Sequence, residues 1–90
     1  MLSIVGICYY NGQGVEKDFK QAVEWYRKAA EQGDSGAQFS LGYCYEHGKG
    51  VDKDLKQAVE WHRKAAEQGH LDAQYCWNLL LQRSRRGERL

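Results

Sequence analysis

Ninety residues with a formal charge of +1, of which 42% are hydrophobic, 28% charged and 12% aromatic, describe one small globular domain and exclude a disordered chain, which would be poor in aromatics. Four arginines stand against one glutamate in 83–90, so the preceding body is slightly acidic; it is not the basic surface that general nucleic-acid binding needs. No apolar run approaches the roughly 18 residues of a membrane-spanning helix, so no membrane partner is expected.

The opening MLSIVGICYY has no basic residue and no small-residue cleavage region, so it reads as a helix over 2–11, not as a signal peptide. A glycine-bearing loop, GQGVEKD, follows. From Phe19 the residues Phe19, Ala22, Val23, Tyr26, Ala29 and Ala30 lie on one stripe of an amphipathic helix, predicted over 19–32. Asp18 with Gln21 three residues on has the form of a capping box, and Gly33 supplies a left-handed stop. The next segment is helical in period over 36–47, with Ala37, Leu41, Cys44 and Tyr45 on one face and Phe39 and Tyr43 on nearly the opposite one. Such a helix is covered on more than one side. The loop GKGVDKD then leads to a second stripe of Leu55, Ala58, Val59, His62, Ala65 and Ala66, predicted as a helix over 55–68 between Asp54 and Gly69. A last helix is predicted over 71–84, running into a basic tail at 83–90.

These elements are a repeat. At an offset of 36, GQGVEKDFKQAVEWYRKAAEQG falls on GKGVDKDLKQAVEWHRKAAEQG with 18 of 22 positions identical. Gly6, Cys8 and Tyr9 fall on Gly42, Cys44 and Tyr45, and Ala37-Gln38-Phe39 on Ala73-Gln74-Tyr75. We call 2–11, 36–47 and 71–84 A-type helices and the other two B-type. One A/B pair cannot bury its stripe alone, so pairs must stack. The expected fold is all-α, a right-handed α/α solenoid of about two and a half units: a partial unit at 1–33, a full unit at 34–69 and a terminal A-type helix at 70–84, in a single domain over 1–82. Glycine inside a helix costs about 1 kcal/mol against alanine, so Gly6 and Gly42 at matching positions suggest that neighbouring backbones approach closely there.

Leu41-Gly42-x-x-Tyr45-x-x-Gly48-x-Gly50-Val51-x-x-Asp54-x-x-Gln57-Ala58-x-x-Trp61-x-x-Lys64-Ala65-Ala66-x-x-Gly69-x-x-x-Ala73-Gln74 resembles the Sel-1-like repeat, a relative of the tetratricopeptide repeat with a longer, glycine-rich loop. The resemblance covers nearly the whole chain. It implies an α/α solenoid that binds other proteins as an adaptor, and no catalytic residues to carry over. Some cysteine-rich members bridge the helices of a unit through pairs eight residues apart and have been described as binding penicillin; Ala30 and Gln38 occupy such positions here. Met1 aligns with Ala37, Asn78 stands at the A-helix glycine and Leu79 to Leu81 stand for the Tyr-x-Tyr pattern. Both ends look cut, which leaves open a longer parent, a degenerate cap, or self-association of this chain end to end.

Inner helices line the concave face of a solenoid. Partner contact is therefore expected at Phe39, Tyr43, Glu46 and His47, together with Tyr10 and Asn11 in the first unit and Tyr75 in the third; Ser3, Ile7, Leu79, Gln82 and Arg83 hold corresponding positions. Phe39 and Tyr43 have an alternative, packing on the next helix pair. Trp25 and Trp61, at the stripe edge, fit packing between repeats. Glu24 with Lys28 and Glu60 with Lys64 are i, i+4 pairs on a solvated face. The histidines lack ligand spacing and the three cysteines lack CxxC spacing, so no metal site is expected. An odd cysteine set fits a reducing compartment, the cytoplasm. The GxG loops lack the Lys-Ser/Thr end of a P-loop, and no Ser/His/Asp or Ser-x-x-Lys arrangement signals a hydrolase, so no enzyme and no cofactor is expected. The leading function is an adaptor gripping a peptide or helix of another protein; a penicillin-binding or hydrolase activity is the alternative.

Overall fold

The computed structural model describes residues 2–87, which form five α-helices: α1 (Leu2–Asn11), α2 (Phe19–Glu31), α3 (Ser35–His47), α4 (Leu55–Glu67) and α5 (Leu71–Arg85). Helices pack principally on their neighbours in the chain, as expected where each helix pair buries its stripe against the next. The basic tail therefore begins inside α5, whose last turn carries Arg83 and Arg85; 88–90 lie outside the described residues.

Both B-type helices start and stop as their sequences predict, with one correction. Asp18 accepts hydrogen bonds from the Lys20 and Gln21 amides at 3.0 and 3.3 Å, and Asp54 does the same for Lys56 and Gln57. The reciprocal half of the capping box is replaced: the amides of Asp18 and Asp54 donate to the carbonyls of Tyr9 and Tyr45, each at 2.9 Å. This ties the start of each B-type helix to the last turn of the preceding A-type helix, which a local glutamine bond would not do. At the other end Gly33 (φ +93°) and Gly69 (φ +90°) let the chain double back, with Asp34 N–H on the Ala29 carbonyl and His70 N–H on that of Ala65. This six-residue closure satisfies carbonyls that the helix end would otherwise strand.

The stripes are buried. Ala22, Val23, Tyr26, Ala29 and Ala30 of α2 join Ala37, Leu41 and Cys44 of α3 in one core, against which Trp61 of the next unit packs. A smaller cluster of Ala65, Ala66 and Ala73 takes in Phe39 and Trp77. Leu80, at the position of Cys44, is 2% exposed.

Close approach at the helical glycines is made by rings at both positions and, at Gly6, by backbone as well, a Cβ there lying 3.3 Å from the Ala22 carbonyl oxygen. A Cβ on Gly6 would lie 2.8 Å from the Tyr26 ring, and one on Gly42 2.9 Å from the His62 ring. Each glycine thus leaves a seat for the aromatic residue at the centre of the facing stripe. The expected Glu–Lys pairing is also replaced: Lys28 lies over the Trp25 ring at 4.6 Å and Lys64 over Trp61 at 4.4 Å, while Glu60 pairs with Arg63 at 2.9 Å. A cation over an indole face keeps its ammonium in water while its stem covers apolar surface.

Candidate functional site

Gln38, hidden at 5% exposure, links three helices: its Nε2 donates to the Ala30 carbonyl at 3.1 Å and its Oε1 accepts from Gln68 at 2.8 Å. Gln74 repeats the first bond, to Ala66. The two positions eight residues apart, which could hold a disulfide in cysteine-rich relatives, are thus joined by a hydrogen bond. These bonds tie α3 to the ends of α2 and α4, and α5 to the end of α4, behind the strip of side chains that the A-type helices present.

On that strip Tyr10 of α1 and Phe39, Ser40 and Tyr43 of α3 surround a cavity of about 270 Å³ floored by Tyr26 of α2. Three of the expected partner residues, Tyr10, Phe39 and Tyr43, therefore come together. Burial, then the neighbouring Tyr43, pushes the Tyr10 phenol up. Burial, then Cys44, pushes the Tyr26 phenol up to about 12, against a hydrogen bond from Ser40 that lowers it. Both hydroxyls are neutral near physiological pH, so the site offers π faces and uncharged hydroxyls.

The other expected residues sit elsewhere. Asn11 is exposed at the end of α1. Tyr75 is 67% exposed on α5 and does not line the cavity. Glu46 reaches sideways to His62, with Oε1 3.2 Å from Nε2, and His47 packs at a tilt on Tyr43, 4.2 Å between ring centroids. Phe39 lines the cavity and also packs on His62 of its own unit, ring centroids 5.4 Å apart, and on His70 at the start of the next, 4.9 Å apart. Tyr43, 38% exposed, is the freer of the two.

Tyr26 and Ser40 are missing from the sequence-based site. Tyr26 reads as core because it centres a B-type stripe; the facing Gly6 is the signal that its ring reaches across to the A-type helices. His62 occupies the same repeat position and His70 replaces Asp34 as cap of the next helix, its Nδ1 accepting from the Ala73 amide at 3.2 Å where Asp34 accepts from Ala37. Cys8, Cys44 and Cys76 are free thiols, and burial raises the Cys44 thiol to about 11. No group of three or more His, Cys, Asp or Glu among the described residues is arranged to hold a metal ion.

The Sel1 repeat family profile matches residues 2–34 and 35–70. The chain belongs to the Sel1 repeat family. Among solved structures, a Sel1 repeat protein from Oxalobacter formigenes is 48% identical with a TM-score of 0.87, over 88% of this chain and 32% of that one. The uropathogenic Escherichia coli protective antigen c5321, which displays an SLR fold, is 46% identical with a TM-score of 0.80, over 81% of this chain and 16% of that one. Helicobacter pylori cysteine rich protein B is 40% identical with a TM-score of 0.77, over 80% and 54%. This Sel1 chain thus spans about a third of the length of the Oxalobacter protein. A search of curated proteins gives no match. Sel1 repeat proteins are commonly non-catalytic scaffolds for protein interaction, and among the described residues no helix is long and apolar enough to cross a membrane.

Proposed function

We propose that this Sel1 segment binds a peptide or helix of another protein on its A-type strip, with the cavity between α1 and α3 taking an anchoring side chain. The observation that carries this reading is the convergence of Tyr10, Phe39 and Tyr43 from two successive units on one aromatic cavity of about 270 Å³. Binding energy concentrates where a side chain enters a desolvated pocket, and aromatic walls serve that purpose at little entropic cost. His47, packed on Tyr43, adds a polar group beside it, the mixture that interfaces combine, and Glu46, Asn11 and Tyr75 are the further contacts that this reading gives the strip. The non-catalytic, cytoplasmic reading rests on the absence of a catalytic constellation in the sequence and on the free thiols.

The test is peptide selection from a displayed library, followed by fluorescence titration of the winner. Tyr43→Ala removes a cavity wall from an exposed position, and it should weaken binding at least about tenfold, the scale of an interface hot spot; Glu24→Ala on the outer face of α2 should change nothing. Equal affinities for Tyr43→Ala and the unaltered chain would remove the strip as the binding face.

A second reading, assembly end to end, is favoured by the apolar side chains at the two ends: Ile4 and Ile7 on α1 are 56% and 42% exposed, and Leu71, Tyr75 and Leu79 on α5 are 77%, 67% and 43% exposed. Sedimentation velocity separates the readings: concentration-dependent dimers support assembly, and a monomer at high concentration excludes it.

A further inference from the structure

His62 has no counterpart in the first unit that could titrate near neutrality. Its side chain is fully buried, and its Nε2 lies 3.2 Å from Glu46 Oε1. In the neutral ring the Nε2–H donates to that carboxylate. Nδ1 then carries a lone pair that is buried and has no hydrogen-bond partner. The space beside it is closed, since a Cβ on Gly42 would stand 2.9 Å from Nδ1. A proton arriving at Nδ1 would create a buried donor with nothing to receive it, the arrangement that costs most in a packed interior.

The surroundings divide on that proton. From α3, Glu46 favours the charged ring and His47 opposes it; from the segment before α5, His70 opposes it too. Cys76 of α5 faces Glu46, and burial followed by that carboxylate raises its thiol. On α4 itself, Arg63 is held outward by Glu60 and Glu67. Burial outweighs the help from Glu46, so His62 takes up its second proton less readily in the folded chain than in the unfolded one. In the first unit, Tyr26 fills the same seat over Gly6 with its hydroxyl on Ser40, and nothing there changes charge in mildly acidic solution.

We propose that the α3–α4 pair is an acid-sensitive joint, opened when His62 is doubly protonated and driven off Gly42. The joint is built into the second unit alone, and it holds Glu46 and the Phe39 ring in place. If those residues bind a partner as proposed above, acid releases the partner from the second unit; the joint itself does not depend on that reading. The sign follows from linkage. A histidine with a lowered folded-state value contributes stability fully above the ordinary value of 6.5. That contribution is lost as pH falls through the ordinary value, by up to about tenfold in the folding constant per pH unit.

Thermal melts of the full chain, followed by circular dichroism between about pH 7.5 and 5, test the joint without any partner. The melting temperature of the unaltered chain should fall across that range. His62→Tyr installs the residue that the first unit uses and should remove most of the fall. His70→Asp installs the cap that the preceding unit uses at Asp34 and should leave the fall in place. A fall unchanged by His62→Tyr, or abolished by His70→Asp, overturns the proposal. Should His62→Tyr fail to fold, the ring-proton NMR titration of the unaltered chain decides. The joint requires His62 to protonate only below the ordinary histidine value of 6.5, and together with loss of native shifts; ordinary titration within a fold that stays intact would overturn it.

Discussion

Gly36 and Gly42 lie in the same helix and answer a methyl group in opposite ways. At Gly42 a Cβ meets the His62 ring at 2.9 Å, whereas at Gly36 the nearest atom is Asp34 Oδ1 at 3.4 Å. Alanine gains up to about 1 kcal/mol of helix propensity at either site, but overpacking a filled core costs about 1–3 kcal/mol. Urea denaturation should therefore find Gly42→Ala destabilised and Gly36→Ala stabilised by about 0.5 kcal/mol. Cys44 gives a second check. Fully buried, with its thiol held up at about 11, it should be the last of the three cysteines to be alkylated under native conditions, as peptide mass mapping would report. Neither glycine seat was legible from the sequence as more than a matched pair of unfavourable residues, because the ring each one receives comes from 20 positions further along the chain. Aligning the units does expose the odd residues: His62 against Tyr26 and His70 against Asp34.

The helices were legible where a single face is buried and their ends are marked. The B-type stripes, with an aspartate before and a glycine after, give α2 and α4 to within one residue. The A-type helices carry apolar residues on two sides, so their existence followed from the repeat more than from any stripe, and the role of Gln38 was not foreseen. A glutamine in an A-type helix reads as surface; only the packing of three helices makes it a buried link. Removing it leaves the Ala30 carbonyl with only the Gly33 amide and Gln68 without its partner, so Gln38→Ala should cost about 1 kcal/mol in chemical denaturation. Asp18→Ala and Asp54→Ala each remove a cap that serves two amides and should each cost about 1 kcal/mol.

Across the molecule, packing between consecutive helices makes stability a property of neighbours. Amide exchange should follow that order, slowest in α2, α3 and α4, which have neighbours on both sides, and faster in α1 and α5. The same stacking explains why the candidate site was half legible. The repeat register put Phe39, Tyr43, Glu46 and His47 on one strip with Tyr10, but it could not say that α2 would contribute a floor through Tyr26, nor that Glu46 would turn toward His62. Those are consequences of the stacking distance and of two glycines. The claim that most needs testing is that this strip is where a partner protein sits. Amide and aromatic NMR shifts of the labelled chain, followed as a library-selected peptide is added, test it most directly. The largest changes should fall on Tyr10, Ser40 and Tyr43, with the outer residues Glu24 and Glu60 unmoved; changes confined to the outer faces of α2 and α4 would contradict it.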